Sequence, residues 1–297
     1  MTMSLDQLWL TVFAIDTTRY LVGVGIVSIT LFVVFRHFSE THRIQRRRAS
    51  SADIRRELSY SLLTTAVYAS VALVTVQAER SGLLKVYGNW GDYHWLYGLL
   101  SLPLVLVLHD AWFYWVHRLL HHPWLFRRVH RVHHLSRTPT PWAAYSFAPG
   151  EAVAMAIFVP LVTLVIPVHG LVLFIFLAIM IIRNAMGHSG VEFHPQSWIE
   201  TPLDHLTTVT HHDLHHQRLK GNYGLYFTWW DRWMGTEFKD YHQAFRIARA
   251  GEPAVTTQAG GLEVQAAPFT SAAAAPSPGH TERGQAGTCN RTTCPGH

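Results

Sequence analysis

The chain has 297 residues, of which 49% are hydrophobic and only 14% charged, with a formal net charge of +5. Soluble domains carry about 25% charged residues, so the deficit excludes an ordinary water-facing globule, and arginines set beside apolar runs exclude nucleic acid as the natural partner. Both cysteines, Cys289 and Cys294, lie in the last nine residues, which leaves disulfide scaffolding, thiolate-ligated haem and iron–sulfur ligation without material in the body of the chain.

Apolar runs occupy about residues 20–35, extended upstream over 8–15, then 58–77 and 95–116. A helix of about 20 residues rises about 30 Å, the thickness of a bilayer's hydrocarbon core, so each run predicts a spanning helix. The first lacks the basic start and cleavage site of a signal peptide and reads as a retained anchor. Arg36, Arg43, Arg46, Arg47, Arg48, Arg55 and Arg56 gather between the first two runs, and Arg118, Arg127, Arg128, Arg131 and Arg137 follow the third. The intervening loop holds only Arg80 and Lys85 against Glu79 and Asp92. Positive loops stay in the cytoplasm, which predicts an outside N-terminus.

Residues 152–182 form a fourth apolar stretch, too long for one span and short of two, with Pro160, Pro167 and Gly170 inside it. Such residues break or turn a helix, so we expect a helical hairpin that returns to the side it entered, with arms short enough to be re-entrant. From about residue 250 the chain becomes rich in Ala, Gly, Pro, Ser and Thr and reads as a disordered tail. The expectation is an all-α integral membrane bundle, about three spanning helices plus a hairpin, with a cytosolic histidine-rich helical cap. Its divisions are N-terminal membrane helices over 1–94, a catalytic part over 95–245 and the tail over 250–297.

The 21 histidines carry the chemistry. His117 and His121, four apart, share one face of a helix. His130, His133 and His134 follow at spacings of three and four, read as one face again. His212, His215 and His216 repeat that pattern after His205 and His211, and His188 stands between the halves. Eight imidazoles gathered at a membrane surface are costly to desolvate, and metal coordination repays that cost better than a pH-sensitive basic patch does. So many nitrogen ligands exceed the four of one zinc ion and favour two ions, with iron, zinc and manganese all admissible. Arg118 and Leu119 stand where a metallopeptidase H-E-x-x-H motif would differ, so peptidase chemistry is disfavoured. The hairpin keeps all the boxes on one side of the membrane, where a lipid chain can stay in the bilayer while its carbon meets the ions.

The segments His117-Arg-Leu-Leu-His121, Phe126-Arg-Arg-Val-His130-Arg-Val-His133-His134 and His211-His212-Asp-Leu-His215-His216, followed by Gly221-Asn-Tyr-Gly224 and Thr228-Trp-Trp-Asp231-Arg, resemble the fatty acid hydroxylase and sterol desaturase superfamily of integral membrane di-iron oxygenases. The resemblance covers about residues 110–236. It implies a four-helix-type membrane fold with a cytosolic cap, two iron ions (zinc in purified or recombinant material), and O2-dependent hydroxylation or desaturation of a lipid such as a sterol or fatty acyl chain. By the same resemblance the metal ligands are His117, His121, His130, His133, His134, His188, His212, His215 and His216, with the tenth left between Glu192, His194 and His211. Electrons would come from an external ferredoxin or cytochrome b5-like donor, since the chain has no flavin, dinucleotide or haem motif. Asp110 and Asp213 are candidates to hydrogen-bond ligand rings. Trp112, Tyr114, Trp115, Trp229 and Trp230 suit the membrane interface, and Asn222 a turn. Rival readings are a bis-histidine haem electron carrier and a metal-handling membrane protein.

Overall fold

The computed structural model describes residues 3–251 and the backbone of two short paired strands, Val255–Thr256 and Leu262–Glu263. Beyond its start and those strands, the expected tail, with Cys289 and Cys294, lies outside the described residues. The architecture is helical, and among the described residues four helices are long and apolar enough to cross a membrane: Leu5–Val34, Ser51–Arg80, Trp95–Leu120 and Gly170–Gly187. The first two begin at capping boxes, Ser4 with Gln7 and Ser50 with Asp53, in which each side chain satisfies a backbone N–H that the helix leaves unpaired.

The first span packs against the second and the fourth. Gly23 lets the fourth approach, since a Cβ there would meet Ile181 at 3.1 Å. Small and hydroxyl residues serve the same purpose in the second span, where Ser61 donates to the Trp142 carbonyl at 2.9 Å. The outward residues, among them Leu10, Ile26, Val33 and Val74, are exposed and apolar, as a lipid-facing surface requires.

The fourth apolar stretch is a helical hairpin. Its first arm consists of Pro149–Ala156 and Phe158–Val165, reset at Ile157. Pro160 causes the reset: it has no N–H for the Ala156 carbonyl but is tolerated in the first turn of the new helix. The turn pairs Val168 and His169 in parallel with Val86 and Tyr87, in the loop joining the second and third spans. The hairpin tip therefore reaches the far end of the third span, and the expected re-entrance is corrected. The returning arm, Gly170–Gly187, is by itself long and apolar enough to cross, because its 18 residues rise about 27 Å.

At the opposite end the connecting segments form a cap. The arginine-rich loop after the first span lies against it: Arg43 bridges Val191, Ile44 N–H donates to the Gly190 carbonyl at 3.0 Å, and Gln45 Nε2 donates to the Arg137 carbonyl at 2.9 Å. The helices Val209–Arg218 and Tyr241–Ala250 pack together through Leu214, Tyr241 and Phe245. Arginine-rich loops and histidine boxes thus share one end of the bundle.

Candidate metal centre

Four segments deliver histidines to the cap. The third span ends in His117 and His121. A π turn, Phe126–His130, runs into the single turn Arg131–His134. His188 caps the fourth span, and Val209–Arg218 carries His212, His215 and His216. All nine predicted ligand histidines come together, in two groups: His117, His121, His130, His134 and His215 in one, and His133, His188, His212 and His216 in the other. Within each group the candidate donor atoms lie within 4.8 Å of one another. All but His121 are buried.

The grouping corrects the single-face reading of the boxes. Successive residues turn by about 100° on a helix, so a residue and its fourth successor face one way while the third successor, next door, faces another. His130 and His134 accordingly enter the first group and His133 the second. His212 and His216 enter the second and His215 the first. The second and third boxes thus lie between the two groups and serve both, whereas His117 and His121 both enter the first.

The nitrogen geometry shows what the groups suit. Nε2 of His134 is 3.1 Å from that of His121, 3.0 Å from that of His130 and 3.2 Å from that of His215. In the second group, Nε2 of His188 is 3.3, 3.1 and 3.2 Å from those of His133, His212 and His216. Neighbouring ligands on an ion held at about 2.1 Å sit about 3 Å apart. Carbonyls fix several tautomers from the other side of the ring: Nδ1 of His188 donates to Asn184 at 2.8 Å, that of His216 to Ser136 at 2.9 Å, that of His215 to Gly221 at 2.7 Å and that of His117 to Tyr223 at 2.9 Å. With the proton on Nδ1, the Nε2 atoms of His188 and His216 confront each other as bare lone pairs, and a cation between them resolves the repulsion. His117 Nε2 is likewise buried, with no hydrogen-bond partner among the described residues. The residues therefore fit a pair of metal ions.

Electrostatics agree. Burial, reinforced by the neighbouring imidazoles, drives His130, His133, His134, His212, His215 and His216 well below the ordinary histidine range. Burial lowers His188 to about 4. Neutral imidazole is the form that ligates metal.

The ring-orienting partners differ from those the sequence offered. Asp110 accepts from the backbone N–H of Tyr226 and Phe227 and from Trp229 Nε1, tying the third span to the segment after the last box. Asp213 accepts from Gln45 and Gln217. The carboxylate that does reach a grouped ring is Glu151, whose Oε1 accepts from His130 Nδ1 at 2.8 Å. A lone acid at the start of an apolar helix was the available signal. Glu192, His194 and His211 fall outside both groups. Glu192 accepts from Thr210 N and Oγ1 at 2.8 and 2.7 Å and from His194 Nδ1 at 2.7 Å, capping the helix that carries the last box. His211 Nε2 lies 3.6 Å from Asp231 Oδ2. Asn222 makes the expected turn at φ 55°, while Tyr114 is fully buried, in the core rather than at an interface.

Beside the second group's His133 and the first group's His117 stand Phe147 and Phe113, with ring centroids 5.2 and 5.1 Å away. Both phenylalanines line a cavity of about 540 Å³ inside the bundle, whose other walls include Phe158, Phe176 and Leu177. Its volume lies within the roughly 300–1,000 Å³ typical of small-molecule sites.

Comparison with known proteins places this centre. Residues 102–236 match the Fatty acid hydroxylase family. The chain is 29% identical over 227 residues to a Delta(7)-sterol 5(6)-desaturase of Gibberella zeae, covering 74% of this chain and 68% of the relative. It is 33% identical over 166 residues to the lathosterol oxidase of Mus musculus, covering 54% of this chain and 53% of the relative. A Delta(7)-sterol 5(6)-desaturase of Aspergillus fumigatus is 28% identical over 243 residues, or 80% of this chain and 68% of the relative. No solved structure matches the chain.

Proposed function

We propose that this chain is a member of the fatty acid hydroxylase family, an O2-dependent, di-iron membrane oxidoreductase that removes hydrogen from an unactivated carbon of a lipid, and that desaturation of a sterol is the activity most in keeping with its relatives. The observation that carries the reading is the pair of histidine groups, with bare Nε2 atoms facing each other at about 3 Å, set against an apolar cavity. Iron held there would supply the activation of O2 and the removal of hydrogen.

The chain's own contributions follow from the geometry. His117, His121, His130, His134 and His215 would hold one ion, and His133, His188, His212 and His216 the other. The carbonyls of Asn184, Ser136, Gly221 and Tyr223, with Glu151, hold the rings in the donor tautomer before any metal arrives. Phe113 and Phe147 keep water from the side where the lipid carbon approaches. Residues 95–245 form the catalytic part, and its histidine centre faces the cytoplasmic side with the arginine-rich loops. There an external ferredoxin or cytochrome b5-like protein supplies electrons. A bis-histidine haem is disfavoured because axial ligands on opposite faces of a porphyrin stand further apart than these nitrogens do.

Freshly purified protein should carry about two non-haem metal ions per chain. It should convert a supplied sterol when given O2 and a reductase with its small electron carrier. Native protein without bound metal, or turnover sustained by NADH alone, would defeat the oxygenase and the external donor respectively.

A further inference from the structure

Asp16 and Arg19, one turn apart in the first span, form an ion pair at 2.8 Å with side chains only 11% and 12% exposed. Charged groups in a membrane segment are costly and are retained where they do something. The pair uses one of the five N–H donors of the guanidinium, the Tyr145 hydroxyl takes another, and the buried Nε has no partner among the described residues. Both side chains line the same cavity as Phe113 and Phe147, where they supply its carboxylate and its guanidinium among mostly apolar and aromatic neighbours. Arg19 also lines a groove between the first and fourth spans, together with Val22, Phe174 and Ile182, all exposed toward the lipid side. A lipid entering the cavity from that groove meets Arg19 on the way.

We propose that Asp16 and Arg19 are the headgroup site of the lipid substrate, and that the group they take is an uncharged hydroxyl. The proposal rests on the reading above that the cavity holds the substrate. A hydroxyl accepts from the guanidinium and donates to the carboxylate, so it satisfies both without adding charge. A free carboxylate would set its charge against Asp16, and a hydrocarbon end would leave the spare donors unmet. A lipid held by its hydroxyl at one point of the cavity presents a defined carbon at Phe113 and Phe147, beside the histidines. The pair is thus a positioning and specificity device, supplied by a segment outside the matched residues 102–236.

The test is equilibrium binding to the full chain in nanodiscs, using radiolabelled cholesterol and 1-hexadecanol, with cholestane, hexadecane and palmitate as competitors and metal content measured on the same samples. Native protein should prefer one of the alcohols to its hydrocarbon by about tenfold. Arg19→Met and Asp16→Asn should abolish that preference with metal content unchanged. Where a single variant leaves an unpaired charge and fails to fold, the uncharged double variant Asp16→Asn with Arg19→Gln carries the test. Absence of an alcohol preference in native protein, its survival in the folded variants, or a preference for palmitate would each overturn the proposal. Native protein with an alcohol preference but no metal would instead remove the oxygenase reading and leave the headgroup site standing.

Discussion

Glu151 and Glu192 are both buried carboxylates that accept from a histidine Nδ1, yet the structure gives them different work. Glu151 orients His130, a member of the five-histidine group, whereas Glu192 binds His194 and the N-terminal turn of the helix that carries the last box. Glu151→Leu should therefore weaken metal retention by about tenfold or more, the size expected for removing a ligand's hydrogen-bond partner. Glu192→Ala should leave the metal count intact and lower stability by about 2 kcal/mol, as loss of a charged cap does. Chelator-competition assays and denaturation of the same two proteins separate these outcomes. A lost metal in Glu192→Ala would make Glu192 a ligand, and unaltered retention in Glu151→Leu would remove it from the centre.

Among the elements, the spans and the box segments are held together by different forces. The spans are long and closed by backbone hydrogen bonds that a bilayer protects. Val209–Arg218 has only ten residues, below the roughly 12–15 at which an isolated helix is stable in water. Its order depends on Glu192, on packing against Tyr241–Ala250 and, in our reading, on metal. Stripping the metal should therefore raise hydrogen exchange in residues 126–134 and 209–218 by more than tenfold, while 51–80 and 95–116 keep their protection. Mass-resolved exchange before and after chelation measures this. Equal protection in both states would show that the boxes are set by the protein alone.

For the whole molecule the decisive question is orientation, since the histidine end coincides with the arginine-rich loops. The two native cysteines lie at 289 and 294, so replacing both with serine leaves a background for single-cysteine labelling. In intact cells a membrane-impermeant maleimide should label Lys85→Cys, between the second and third spans, and should reach Arg47→Cys only after lysis. The reverse pattern would put the histidine centre outside the cytoplasm and withdraw it from a cytoplasmic reductant.

Much of this was legible in residue order because the signals are local and periodic. Apolar runs of bilayer length, proline and glycine at the hairpin, arginine in alternate loops and histidines three and four apart all follow from the pitch of one helix and from the cost of burying polar groups. Which histidine joins which group was not legible, because it depends on where a second and third helix stand relative to the first. The same holds for Glu151, whose partner is 21 residues away, and for Asp110, whose partners lie more than a hundred residues on. Asp16 and Arg19 interrupt an apolar run in residue order, and only the packing of four helices places them in the wall of a shared cavity. Residue order alone determined the long apolar helices and the histidine boxes. Tertiary structure decided the partition into two groups and the cavity beside them, because both depend on distances between segments that the chain joins only through space.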